Sequence, residues 1–125
     1  MKYMIMMFGD AATMLDAATM LETKSPEWIE EMIGFMTQID KDLTASGELV
    51  FQQGLADGST ARTVTITDGV PVATDGPFAE AKESLVGFWV VDVDSEARVI
   101  DLAGQIAVYA GTVEVRQAMD EPPQV

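Results

Sequence analysis

Ser25 to Gly47 is the stretch of this chain that leaves the least choice of local structure. Ser25 is a good helix N-cap, Pro26 fits the first helical position, and Glu27 complements the positive end of the helix dipole. Trp28, Met32, Phe35 or Met36, Ile39 and Leu43 then recur at helical spacing, with Glu30, Glu31, Asp40 and Asp42 between them. Gly47 supplies the C′ glycine that ends the run. A long amphipathic helix must lay its apolar stripe on something, and the flanking residues say on what. Residues 2–8 alternate as a strand, with Tyr3, Ile5 and Met7 on one face and Met4, Met6 and Phe8 on the other. Residues 48–57, ELVFQQGLAD, read as a second strand that breaks at Gly54. The helix therefore joins two strands and packs on their sheet.

The same unit recurs in the second half. GFWVVDVD (87–94) is dense in β-formers, and Ser95 caps a helix over about 96–106 in which Val99, Ala103 and Ile106 share a face. Gly111 then leads into TVEVR (112–116), with Val113 and Val115 inward. Between the two units, Val64 and Ile66 alternate with outward Thr65 and Thr67. Asp68-Gly69 is a two-residue hairpin turn, and Val70–Thr74 is the returning arm. The order is β-α-β, an inserted hairpin, then β-α-β: an α+β chain on the split βαβ, ferredoxin-like plan, with two helices on one face of an antiparallel sheet. The strands look apolar on both faces, so the uncovered side of the sheet calls for a partner, and a homodimer with sheets packed face to face is the expectation. AATMLD followed by AATMLE within 11–22 is a local duplication too short to be a solenoid repeat, and it suits a short surface helix. Residues 1–118 read as one domain and 119–125 as a loose Pro-rich tail.

Composition removes most functional classes. Twenty-one acids against seven bases give a net charge of −14, and without clustered Lys and Arg neither nucleic acid nor an anionic membrane is a fitting partner. No apolar run reaches the ~18 residues that spanning a bilayer takes. The N-terminal run reads as a strand and not as a signal peptide, so a cytoplasmic protein is expected. The chain contains no Cys and no His. Thiolate chemistry, the usual neutral-pH base and the commonest transition-metal ligand are thereby excluded, and no metal or other cofactor is expected. The nine Met are scattered through apolar positions and read as core filling.

Residues 75–83, DGPFAEAKE, resemble the signature of the YCII-related family in its DGPF-domain branch. MKYM at the start, SPEW and SGEL at the ends of the long helix, the run to Val93, and GTVEVR near the end extend the resemblance over nearly the whole chain. It implies a dimeric α+β barrel of ferredoxin-like protomers. Most of the family is uncharacterised. Some relatives are small lyases, for example removing chloride from hydroxylated aromatics, with a proposed His-Asp pair. Here that pair has no His to fall on. Other DGPF members are encoded beside extracytoplasmic-function sigma factors, which implies a stress or regulatory setting. VGF (86–88) stands where relatives often read Gly-Gly-aromatic.

Two readings of the signature stay open. As a stiff turn, Asp75 bonds to downstream backbone N–H groups, Gly76 supplies unusual dihedrals, Pro77 fixes φ and Phe78 anchors the loop. As a site, Asp75 is the candidate general base, Lys82 or Arg116 holds an anionic group, and Gly76, Pro77, Phe78 and Glu80 line the cleft. Glu83 completes a charge cluster that solvation alone would explain. Arg62 is a further candidate, and a hairpin Arg is commonly just solvated. Tyr3 and Trp89 read as core or interface residues. The function expected is a dimeric small-molecule-binding or regulatory protein with a cleft at the DGPF loop. The alternative is a cofactor-free lyase or isomerase acting on a small acid, aromatic or not, with Asp75 as general base.

Overall fold

The helices form where their caps place them. The structure is a computed structural model that describes residues 1–9, 24–56, 58–76 and 84–124, so the duplicated AATML segment lies outside the described residues. Helix α1 (Pro26–Ser46) starts with the Ser25 side chain accepting from the Trp28 N–H and ends at Gly47, whose φ of 77° is left-handed. Helix α2 (Glu96–Ala110) starts with the Ser95 hydroxyl accepting from the Arg98 N–H and ends at Gly111. It runs one turn further than its periodicity predicted. Tertiary packing carries that turn: Ala110 is buried, and the Tyr109 ring lies 4.9 Å from Phe35 and 5.8 Å from Trp28 of α1.

Strands β1 (Lys2–Gly9), β2 (Leu49–Gly54), β5 (Ser84–Asp92) and β6 (Val113–Gln117) make a four-stranded antiparallel sheet in the order β2-β5-β1-β6. β3 (Arg62–Thr67) and β4 (Val70–Asp75) make a separate two-stranded sheet. The protein is thus α+β, with two helices and two antiparallel sheets among the described residues, and these close no barrel within the protomer.

One face of the larger sheet is the core. Tyr3 and Ile5 of β1, Trp89 and Val91 of β5, and Val113 and Val115 of β6 meet Ile39 and Leu43 of α1 and Val99, Leu102, Ala103 and Ile106 of α2. The Trp89 indole N–H donates to Asp40 Oδ1 at 2.9 Å, which fixes α1 over β5 and leaves the buried ring satisfied. The register puts the alternate residues on the opposite face: Met4 beside Val90 and Arg116, Met6 beside Phe88 and Glu114, and Phe51 beside Val90. No helix crosses this second face among the described residues. Met4, Met6, Phe88 and Val90 are half-buried by their neighbours, Phe51 is exposed, and its ring sits 5.9 Å from that of Phe88.

The hairpin corrects one expectation. Asp68 (φ 52°) and Gly69 (φ 77°) form the two-residue turn that the sequence predicted. However, Val64 and Ile66 do not point into a core; they are 60% and 67% exposed. The ribbon leaves the larger sheet after Gly54, and no described element lies over either of its faces.

Candidate functional site

The DGPF turn starts where the hairpin closes. Counting back from Thr67 opposite Val70, the register sets Arg62 opposite Asp75, and the Arg62 guanidinium donates to Asp75 Oδ1. Beyond that pair, the Gly76 N–H donates to the Ala61 carbonyl at 2.7 Å and the Thr63 hydroxyl donates to the Gly76 carbonyl at 2.8 Å. Gly76 has φ 89°, a conformation that L-residues rarely adopt, so glycine is needed at this corner. A single 3-10 turn at Gly58–Thr60 sits below, and a Cβ added at Gly58 would come within 2.8 Å of Ser84 Oγ at the start of β5. Backbone bonds thus tie the hairpin mouth to this turn, the Ala61 N–H donating to the Gly58 carbonyl at 3.0 Å, and the turn lies close against the entry of β5.

Asp75 is therefore set in place by Arg62, and its side chain is 86% exposed. An ion pair in water is weakly held, and among the described residues no apolar side chain encloses the carboxylate to raise its basicity. Arg62, which the sequence marks only as a hairpin cation, is the partner of Asp75. The hairpin count from Asp68-Gly69 was the signal that finds it.

The other candidates separate. Arg116 lies on β6, exposed, on the open face of the sheet beside Met4. Met4 pairs with Val90, about 20 Å along β5 from the Ser84 end at ~3.3 Å per residue. Within one protomer, Arg116 and the Asp75 turn stand at opposite ends of the sheet. Pro77, Phe78, Glu80, Lys82 and Glu83 lie outside the described residues.

A second polar feature went unnoticed in the sequence. Arg98 at the start of α2 grips Glu48 with Nε and Nη2, each at 2.9 Å, across the junction between α1 and β2. Ser46 Oγ donates to the same carboxylate at 2.7 Å. The Arg98 and Ser46 hydrogen bonds, in that order, lower the Glu48 pKa from its ordinary 4.5 to about 2 against the opposing effect of burial. The pair floors an open groove of about 690 Å³ lined also by Asp92, Asp94 and Ser95. Arg98 Nη1 also donates to Asp101 Oδ2 at 3.3 Å, so the guanidinium is held from both sides and the group acts as a clamp between elements. Glu48 and Arg98 stand fifty positions apart, so no local pattern announces them. Among the described residues no three potential metal-ligating side chains cluster, and no helix is long and apolar enough to cross a membrane.

Comparison with known proteins agrees with the resemblance in the sequence. An uncharacterised protein of Rhizobium meliloti (strain 1021) is 30% identical over 95 residues, covering 74% of this chain and 77% of its own. The YCII-related domain matches residues 1–121, and the chain belongs to the YCII-related family.

Proposed function

We propose that this protein is a homodimer that binds a small apolar anion, with the open face of the four-stranded sheet as the dimer contact and the DGPF turn of the second copy as the wall of its cleft. The observation that carries this reading is the open face itself. Met4, Met6, Phe51, Phe88 and Val90 form a continuous apolar surface with Arg116 set beside Met4. An apolar surface with a guanidinium at its margin suits a carboxylate or phenolate attached to a hydrocarbon body. A second copy covers such a face through like residues around a two-fold axis. The strand order, with β1 and β5 central, supports a ferredoxin-like protomer, and two such sheets face to face would make the dimeric α+β barrel. Residues 75–78 support placement in the DGPF branch.

Binding is favoured over catalysis by the state of Asp75, exposed and ion-paired to Arg62. Calorimetric titration with benzoate and with a phenolate tests the reading. The wild type binds, and Arg116→Ala loses at least tenfold in affinity with its circular dichroism unchanged. Absence of binding to either anion, or full affinity in Arg116→Ala, contradicts it. Turnover of a hydroxylated chloroaromatic that is lost in Asp75→Asn would put the lyase alternative in its place.

A further inference from the structure

The β3–β4 hairpin has two free edges of unlike character. Next to a two-residue turn, the pair Thr67–Val70 carries ladder hydrogen bonds, and bonded pairs alternate with unbonded ones thereafter. Thr65–Val72 and Thr63–Thr74 are therefore bonded, whereas Ile66–Pro71 and Val64–Ala73 turn their backbone groups outward. On β4 the outward position nearest the turn is Pro71, which has no N–H, so that edge is blunted. On β3 the outward groups belong to Val64 and Ile66, within TVTIT (63–67), which is wholly β-branched and has no charge and no proline. No strand among the described residues pairs with this edge. Val64, Ile66, Val70 and Val72 are 41–67% exposed.

We infer that the free edge of β3 pairs antiparallel with the same edge of a second copy of this chain, around a two-fold axis at Thr65, joining two hairpins into a four-stranded ribbon. Three features select a second copy as the occupant. The segment is self-complementary: the axis sets Val64 opposite Ile66 of the partner subunit, with both outward N–H and C=O groups satisfied. Residues 58–76 hold one cation, Arg62, and two anions, Asp68 and Asp75, and Arg62 neutralises Asp75. Two chains of charge −14 can thus meet at this ribbon with little of the repulsion that opposes their approach elsewhere. A two-stranded ribbon is marginal in water, and four strands are not. This edge is a different surface from the sheet face above, so a chain using both closes into a tetramer where the two two-fold axes meet at right angles.

The test is the assembly mass by sedimentation equilibrium of the wild type, Thr65→Lys, Val64→Pro and Met6→Glu, with amide exchange measured on the wild type and on Thr65→Lys. Thr65→Lys sets two ammonium groups face to face at the axis, and Val64→Pro removes an outward N–H while sparing the β3–β4 ladder. The inference predicts that both substitutions halve the assembly mass with circular dichroism unchanged. It also predicts that the Val64 and Ile66 amides exchange at least tenfold faster in Thr65→Lys than in the wild type. Unprotected Val64 and Ile66 amides in the wild type, or a mass that Thr65→Lys leaves unchanged, overturn it. A dimer that Met6→Glu splits and Thr65→Lys does not would overturn edge pairing and leave the sheet-face contact standing. The reverse pattern supports edge pairing and removes the sheet-face contact. A four-chain assembly that each substitution halves supports both.

Discussion

Ile5 of β1 and Ile66 of β3 are both strand isoleucines, yet Ile5 is fully buried and Ile66 is 67% exposed. Ile5 has a strand on each side and lies in the cluster with α1 and α2, whereas Ile66 has one neighbouring strand and nothing described above it. The difference comes from connection. β1, β2, β5 and β6 are joined in part through helices, and those helices return over the sheet and cover one face. β3 and β4 are joined only by a two-residue turn, which supplies a partner strand and no cover. Alternation thus tells which residues share a face, and connectivity decides whether that face is covered.

The largest way to sharpen the contrast is to cut matching side chains in the two regions. Leu43→Ala, at a residue 1% exposed, should cost about 2–5 kcal/mol by the transfer and cavity terms. Ile66→Ala should cost less than about 0.5 kcal/mol in the dissociated protomer. Urea unfolding at low protein concentration measures both. Equal losses would mean that the hairpin is covered within the protomer. Asp40→Ala comes next: it leaves the Trp89 N–H unpartnered beneath α1, and about 1–3 kcal/mol should be lost in the same experiment. Glu48→Gln should cost about 1 kcal/mol at neutral pH, since water partly screens the clamp.

The Glu48 effect also has a pH signature. A carboxylate whose folded pKa lies near 2, below its ordinary 4.5, contributes stability that is complete above about 4.5 and is lost as pH falls toward 2. The wild type should therefore lose stability more steeply than Glu48→Gln across that window, and parallel curves would remove Glu48 from the account. The smallest effect belongs to the hairpin mouth. Arg62→Ala and Asp75→Asn break an exposed ion pair and should leave the melting temperature unchanged within error. A clear drop in Asp75→Asn would mean that the carboxylate also ties down the turn.

Much of the fold was legible because its signals are local. Ser25, Pro26 and Gly47 bound α1, Ser95 and Gly111 bound α2, and Asp68-Gly69 closes the hairpin; each acts within a few residues of itself. The exposure of Val64 and Ile66 was not legible, because the pattern of a half-buried strand is the same whether the cover comes from its own chain or from another. The Arg62–Asp75 pair was latent in the hairpin count. The Arg98–Glu48 clamp was not, since it depends on how the start of α2 meets the end of α1 in space. The candidate site was legible only in outline. Asp75, Gly76 and Arg116 could be named, but the separation of Arg116 from the turn depends on strand order and register, which no single motif encodes.

The account rests on the open sheet face being an interface between two copies. The weight-average mass of Met6→Glu beside that of the wild type, from sedimentation equilibrium over a hundredfold range of concentration, tests this most directly. The wild type should hold together with at least twice the mass of one chain, and Met6→Glu should fall to half of the wild-type value with its circular dichroism unchanged. A wild type that sediments as a single chain throughout, or a Met6→Glu variant of undiminished mass, would contradict it.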